Sequence, residues 1–335
     1  MPAHATGRRV VVTQKFFDEA STDFLRQHGC EVDIATLPEG RNEGMLTAED
    51  IRTLLAGAAG WIVGHARITR EVLESLPELA IVSRRGVGYE RVDIDAAKDL
   101  GRVVTIAAGG NDATVADQVV GMMIALGRRF REAQANMEAG DWRILLGTDL
   151  FRRTVGIVGL GRIGRSLVQR LRSFEADILI HTPRPDPAFA AQTGARFVEL
   201  ERLLTDSDYI SLHAPLTPQT HHMIDTSTLS RMKPGAFVIN TARGGLVNDA
   251  DLLDALVAGR IAGAGLDVFE SESDPSKQSV TQALIKLPNV IAAPHAGAST
   301  VEGLNRTNMV AAKCVVDVLE GRAPPAACVV ADGRR

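Results

Sequence analysis

Short β-branched runs alternate with longer amphipathic stretches along almost the whole chain, and few architectures accept that order. Val10-Val11-Val12 has the length and branching of a buried strand. Residues 16–28 follow with Phe17, Ala20, Phe24 and Leu25 at helical spacing, and Gly29 stands where such a helix stops. The alternation continues through an apolar run at 60–64, a helical pattern over 69–76 and a short strand over 79–83. Strand–helix–strand repetition calls for parallel sheets with crossover helices. The spacing predicts an α/β protein, and 335 residues are enough for two such domains.

Residues 111–142 read as one long helix, with Val115, Val119, Met122, Met123 and Leu126 on an apolar stripe suited to core or subunit packing. A second alternating series follows, from a strand at 154–158 to one near 290–293. A last helix over about 300–320 then gives way to a polar, proline-containing tail. Two α/β halves are expected, with their boundary around 105–112. A formal net charge of −4 offers no basic field for nucleic acid or an anionic membrane. No apolar run approaches the ~18–20 residues that cross a bilayer, and three consecutive valines are too short for a secretory leader. Cys30, Cys314 and Cys328 are scattered and odd in number, which fits a reducing compartment. The expectation is a cytoplasmic protein with no metal site.

The strand at 154–158 runs straight into Gly159-Leu160-Gly161-Arg162-Ile163-Gly164, and a helical pattern follows. At this spacing Gly159 permits a tight turn, Gly161 admits a pyrophosphate to the backbone, and Gly164 allows close helix–strand packing. Backbone N–H groups at the helix start then hold the phosphates, so a dinucleotide, NAD or NADP, is expected. An NAD site places a carboxylate about 20 residues further on, to accept from the ribose 2′-hydroxyl. Here the next strand ends in His181-Thr182-Pro183-Arg184, with no carboxylate before Asp186. Thr182 removes repulsion against a 2′-phosphate and Arg184 offers a partner for it, which inclines the reading toward NADP.

Polar residues gather at four later strand ends: His213-Ala214-Pro215, Thr241-Ala242-Arg243-Gly244-Gly245, the stretch from Asp267 to Glu272, and Pro294-His295-Ala296-Gly297. In open parallel sheets ligands bind outside the carboxyl ends of the strands, so these segments are expected to share one crevice. The residue types suit hydride transfer to a 2-oxo acid. Arg243 offers a two-pronged cation for a carboxylate. His295 can protonate the new alkoxide, since imidazole titrates near neutrality. Glu272 can bond the other ring nitrogen and orient it. Ala296 and Gly297 leave room for a flat nicotinamide.

With these motifs in their order and spacing, the chain resembles the D-isomer-specific 2-hydroxyacid dehydrogenase family over about residues 8–320. Lys233-Pro234-Gly235 and the acid five residues after Asp267 belong to the likeness. The resemblance implies two Rossmann-like domains with parallel sheets. One is a discontinuous, flavodoxin-like substrate domain over 1–107 and 299–335, completed by the C-terminal helix. The other is a dinucleotide-binding domain over 108–298, through which the family forms homodimers. It implies Arg243, Glu272 and His295 as the catalytic set, and a cofactor set of Arg162, Ile163, His213, Pro215, Thr241, Ala242 and Asp267 beside the glycines. Gly86-Val87-Gly88 resembles the loop whose N–H groups take the substrate carboxylate. The His-Thr-Pro-Arg run resembles NADP-using glyoxylate/hydroxypyruvate reductases, where NAD-using members carry aspartate in place of Thr182. The regulatory domain of long phosphoglycerate dehydrogenases has no counterpart in these 335 residues, so serine feedback is not expected.

The expected activity is therefore an NAD(P)-dependent oxidoreductase working on a small 2-oxo or 2-hydroxy acid. Arg84, Arg85 and Arg67 near the 86–88 loop make 3-phosphoglycerate a candidate; without that cluster glyoxylate or hydroxypyruvate is favoured. Two alternatives stand beside it: a non-catalytic NAD(H)-sensing protein of the corepressor type, and a related oxidoreductase of formate or phosphite.

Overall fold

Val10, Val11 and Val12 are all fully buried, because the strand that holds them is covered on both faces. Val11 packs with Ile51, Trp61 and Val82, while Val10 and Val12 pack on the opposite face with Leu25, Ile62 and Val315. The structure, a computed structural model, describes residues 8–334; the part of the leader expectation resting on residues 1–7 lies outside the described residues. Five strands come first: β1 (Arg8–Val12), β2 (Cys30–Ile34), β3 (Gly60–Val63), β4 (Ile81–Arg84) and β5 (Val103–Ile106). Seven follow: β6 (Thr154–Val158), β7 (Asp177–His181), β8 (Arg196–Phe197), β9 (Tyr209–Leu212), β10 (Phe237–Asn240), β11 (Gly263–Leu266) and β12 (Val290–Ala292); β13 (Val329–Asp332) closes the series.

These strands sort into two units, one of residues up to 111 with 298 onward, the other of residues 112–297. In the first the order is β13-β5-β4-β3-β1-β2, parallel except for β13. Without that edge strand it is the flavodoxin-like order 2-1-3-4-5. The helix Val301–Leu319 belongs to this unit and buries Ala311, Ala312, Val315 and Val316. Ser83 Oγ on β4 donates to the Ala311 carbonyl at 3.1 Å. The second unit is ordered β12-β11-β10-β9-β6-β7-β8, all parallel. Its order reverses between β6 and β9, the switch point where doubly wound folds open a ligand crevice. The α/β class and the two parallel sheets stand as expected. No helix among the described residues is long and apolar enough to cross a membrane.

Three local expectations need correction. The helix placed at 16–28 spans Glu19–Gln27, because Asp18 caps it by accepting from Ser21 N. The long helix of 111–142 is two, Asp112–Gly127 and Phe130–Glu138, broken where Arg129 takes the left-handed φ of 53°. At the break Gly127 lets the Thr148 backbone cross closely. A Cβ there would lie 2.5 Å from Tyr209 Oη and 2.9 Å from the Thr148 carbonyl, and Thr148 N donates to the Gly127 oxygen at 2.7 Å. The polar tail contributes β13, which pairs antiparallel with β5.

Candidate active site

The second unit builds its site from the turn after β6. Gly159 has φ +101°, and a Cβ on it would sit 2.6 Å from the His213 carbonyl oxygen, so this loop and the one after β9 meet in backbone contact. A Cβ on Gly164 would strike the Gly159 carbonyl. Gly161 differs: it caps the helix Arg162–Leu171 with ordinary φ, and nothing lies within 4 Å of where its Cβ would be. The helix start is thus open at one position and packed at the two flanking it. Such a cradle suits a pyrophosphate, with the helix's first N–H groups facing it. Arg162 beside it is exposed and Ile163 half-buried.

Beyond β7, Thr182 is half-buried and Arg184 exposed, with Arg184 N donating to Thr182 Oγ1 at 3.4 Å. Asp186, the first carboxylate in this stretch, is committed elsewhere. It caps the helix Pro187–Thr193 through Phe189 N and pairs with Arg165 at 2.8 Å. After β9, the His213 ring bonds Ser211 Oγ at 2.8 Å, and burial pushes its pKa down to about 4 although the residue keeps some exposure. It is therefore a neutral ring at physiological pH. Pro215 beyond it is exposed.

After β10, Asn240 shapes the turn that carries Arg243. Its Nδ2 donates to the Arg243 carbonyl at 2.9 Å and its Oδ1 accepts from Ala242 N at 3.1 Å. The half-buried guanidinium of Arg243 donates to the Ala242 carbonyl at 2.6 Å. Thr241 Oγ1 is buried without a hydrogen-bond partner among the described residues. That orphaned hydroxyl and the Gly161 cradle are the two features that fit a dinucleotide.

After β11, Asp267 is 1% exposed and organises the neighbouring loop. Its carboxylate accepts from Ala296 N at 2.7 Å, Gly297 N at 2.8 Å and Gln118 Nε2 at 3.0 Å. Its backbone carbonyl accepts from His295 N at 2.7 Å. These bonds hold His295 at a φ of 54°, a left-handed conformation that a non-glycine residue keeps only under constraint. The His295 Nδ1 lies 2.6 Å from Glu272 Oε2, while Glu272 Oε1 accepts from Phe269 N at 2.9 Å. An ionised carboxylate only accepts, so the hydrogen shared between them sits on Nδ1. Arg243, Glu272 and His295 follow three neighbouring strands, β10, β11 and β12, at one edge of the sheet.

Sequence reasoning gave Asp267 only a ligand contact and missed its scaffold role. It passed over Gln118, whose signal is a polar residue on an otherwise apolar helix face. It also passed over His222, Glu270 and Asp249, which cluster beside Glu272. In the first unit, the half-buried Gly86, Val87 and Gly88 follow β4, and Arg67 is exposed. Arg84 is 5% exposed and donates through Nε to the Gly88 carbonyl at 3.0 Å. Arg85 is anchored to Gln14 Oε1 and the Lys15 carbonyl, both at 2.5 Å. A cavity of about 840 Å³ in the second unit includes Asp208, Gly235, Ala262 and Asn289 at the amino-terminal side of its strands, and none of the expected site residues lines it.

Known proteins match this arrangement. The family described as "D-isomer specific 2-hydroxyacid dehydrogenase, NAD binding domain" matches residues 120–297. A glyoxylate reductase of Thermococcus litoralis is 39% identical over 268 residues, 77% of this chain and 80% of its own. A D-3-phosphoglycerate dehydrogenase of Archaeoglobus fulgidus is 34% identical over 315 residues, 93% of this chain but only 58% of its own length. Mycobacterial relatives of the same name are covered to 50%, so the chain spans about half of these longer relatives. The crystal structure of the TT0316 protein from Thermus thermophilus superposes with a TM-score of 0.84 at 34% identity, covering 96% of this chain and 99% of that one.

Proposed function

The chain belongs to the D-isomer-specific 2-hydroxyacid dehydrogenase family, and on that premise we propose that it transfers hydride between a nicotinamide dinucleotide and a small 2-oxo acid. One observation carries the reading: a histidine in left-handed conformation, fixed by Asp267 and bonded at 2.6 Å to Glu272, after a strand of the same parallel sheet whose β6 leads into the open glycine cradle. A nucleotide sensor without turnover has no use for that pair. The bound nicotinamide supplies the hydride. Gly159, Gly161 and Gly164 with Arg162 and Ile163 would hold its pyrophosphate, and Thr241, Ala242, Pro215, Ala296 and Gly297 its nicotinamide end. Arg243 binds the substrate carboxylate and polarises the adjacent carbonyl. His295 Nε2 gives its proton to the carbonyl oxygen as charge develops there, and Glu272 stabilises the protonated ring.

NADPH is the proposed cofactor over NADH. The support is the absence of an available carboxylate after β7: Thr182 occupies the position, Arg184 is exposed, and Asp186 is held by Phe189 N and Arg165. The proposed substrate is an unphosphorylated short acid such as glyoxylate or hydroxypyruvate. Arg84 and Arg85, expected to receive a phosphate, instead brace the Gly88 carbonyl and the Gln14-Lys15 turn. A cytoplasmic location and a homodimer complete the reading; the homodimer alone is supported by Trp142, Ile144 and Leu146, 78%, 90% and 86% exposed on one short segment. The test is nicotinamide absorbance with NADPH or NADH and glyoxylate, hydroxypyruvate or 3-phosphohydroxypyruvate. Faster NADPH oxidation with a plain acid is expected. A preference for NADH or for the phosphorylated acid refutes the corresponding half, and cofactor binding without oxidation refutes the dehydrogenase reading for these acids.

A further inference from the structure

Two carboxylates, Asp249 and Glu270, lie 1% and 7% exposed in the second unit, where the proposed chemistry leaves them unused. They are bound reciprocally: Glu270 N donates to Asp249 Oδ2 at 3.0 Å, and Asp249 N donates to Glu270 Oε2 at 2.9 Å. His222 Nε2 sits 2.7 Å from the remaining Glu270 oxygen. His222 itself is in the left-handed region at φ 51°, and its N–H donates to the Gly245 carbonyl at 2.8 Å. A Cβ on Gly244 would strike the Phe269 carbonyl and approach Glu270 N to 2.7 Å. The cluster thus ties together the segments that follow three adjacent strands, β9, β10 and β11. The second of these segments carries Arg243, and the third is the single turn Glu270–Glu272, whose last residue grips His295.

Neutral side chains would join these loops at lower cost, because paired buried carboxylates repel and lose their hydration. Burial raises the Asp249 pKa to about 6; Glu270's charge pushes it the same way, while the Glu270 N–H, His222 and Lys277 oppose. A group retained against stability beside reacting residues points to work in the reaction. Resting on the dehydrogenase reading above, we propose that His222, Glu270 and Asp249 are positioning residues that fix Glu272 against His295 and hold the Arg243 loop in register with it.

The test compares full-length Asp249→Asn and Glu270→Gln with the parent for melting temperature, cofactor Kd, kcat and KM at mildly alkaline pH. Asp249→Asn is expected to melt at or above the parent, bind cofactor equally, and lose about tenfold in kcat. Glu270→Gln should lose more. Parent-level kcat in both variants overturns the proposal, as does a loss of kcat that simply follows a loss of melting temperature. Should Glu270→Gln fail to fold, His222→Asn gives the same comparison with Asp249→Asn. Turnover by the parent with unaffected variants defeats this proposal alone; no turnover by the parent with any of the acids defeats it together with the dehydrogenase reading.

Discussion

Gly159 and Gly161 stand two residues apart in one loop, yet alanine at each should fail in a different way. At Gly159 the residue must keep φ +101°, which costs an L side chain about 1–2 kcal/mol. The new methyl must also displace backbone atoms of His213 and Ala214 at 2.6–2.8 Å, an overpacking cost of about 1–3 kcal/mol. Together they destabilise the second unit by roughly 2–5 kcal/mol, or about 5–15 °C in melting temperature for a unit of this size. Gly161→Ala meets open space at φ −82°. Its gain of about 0.4–1 kcal/mol from a stiffer unfolded chain is offset by alanine's poorer fit at a helix N-cap. Stability should stay within about 1 kcal/mol of the parent. The methyl would instead occupy the approach of the pyrophosphate; losing one charge-assisted hydrogen bond, about 1.5–3 kcal/mol, weakens cofactor binding on the order of 10–100-fold. Thermal denaturation beside fluorescence titration with NADPH and NADH separates the two effects. Normal affinity in Gly161→Ala, or melting as low as that of Gly159→Ala, would refute the assignment of the cradle.

Three further outcomes are expected. His295→Ala should lower kcat about 10²–10⁴-fold with cofactor Kd unchanged, and Glu272→Gln about tenfold, because the amide still accepts from Nδ1 but adds no charge; steady-state kinetics check both, and equal losses would contradict the separate roles. Asp267→Asn replaces an acceptor of three N–H bonds with a group that presents its own N–H to one of them, so urea unfolding should show a loss of about 1.5–3 kcal/mol. An unchanged midpoint would show that the His295 loop is held by something else. Asp249 has a folded pKa raised above its unfolded value of 3.8 to about 6, so its contribution is fully favourable below pH 3.8 and is lost as pH rises through 6. At pH 8 the ionised group therefore costs up to about 3 kcal/mol. Asp249→Asn should be the more stable protein there, with the difference vanishing toward pH 4; denaturant titrations across that range would refute this if the asparagine form were the weaker at pH 8.

Strand positions were legible in the sequence wherever burial on both faces made a run continuously apolar, as in Val10-Val11-Val12. The Gly159–Gly164 turn was legible because Gly159 and Gly164 each answer a steric demand that the structure shows, while Gly161 stands open between them. What escaped depended on tertiary contacts. The apolar stripe from Val115 to Leu126 does continue, but the left-handed turn at Arg129 comes from chain crossing at Gly127, which periodicity does not register. β13 has only Val329, Val330 and Ala331 to announce it, and pairing with β5 gives it order. Arg84 and Arg85 looked like phosphate ligands because charge is visible in a sequence and side-chain direction is not; the turn after β4 aims them at Gly88, Gln14 and Lys15. His222 and Glu270 are 48 residues apart, and only the parallel order of β9, β10 and β11 brings them together.

The first unit is split in sequence, its sheet begun before residue 111 and its helix Val301–Leu319 supplied after the second unit is complete. During synthesis the face carrying Val10, Val12, Ile62 and Ile81 therefore emerges long before the helix that covers it. The inserted unit is contiguous and can close on itself while the earlier one waits. Joining the two parts of the first unit across an unstructured insert would cost roughly 5 kcal/mol in loop entropy; a folded insert with its ends held near each other removes most of that cost. Biogenesis should then run from the middle outward, and a nascent chain stalled before residue 301 would present an open apolar sheet to chaperones.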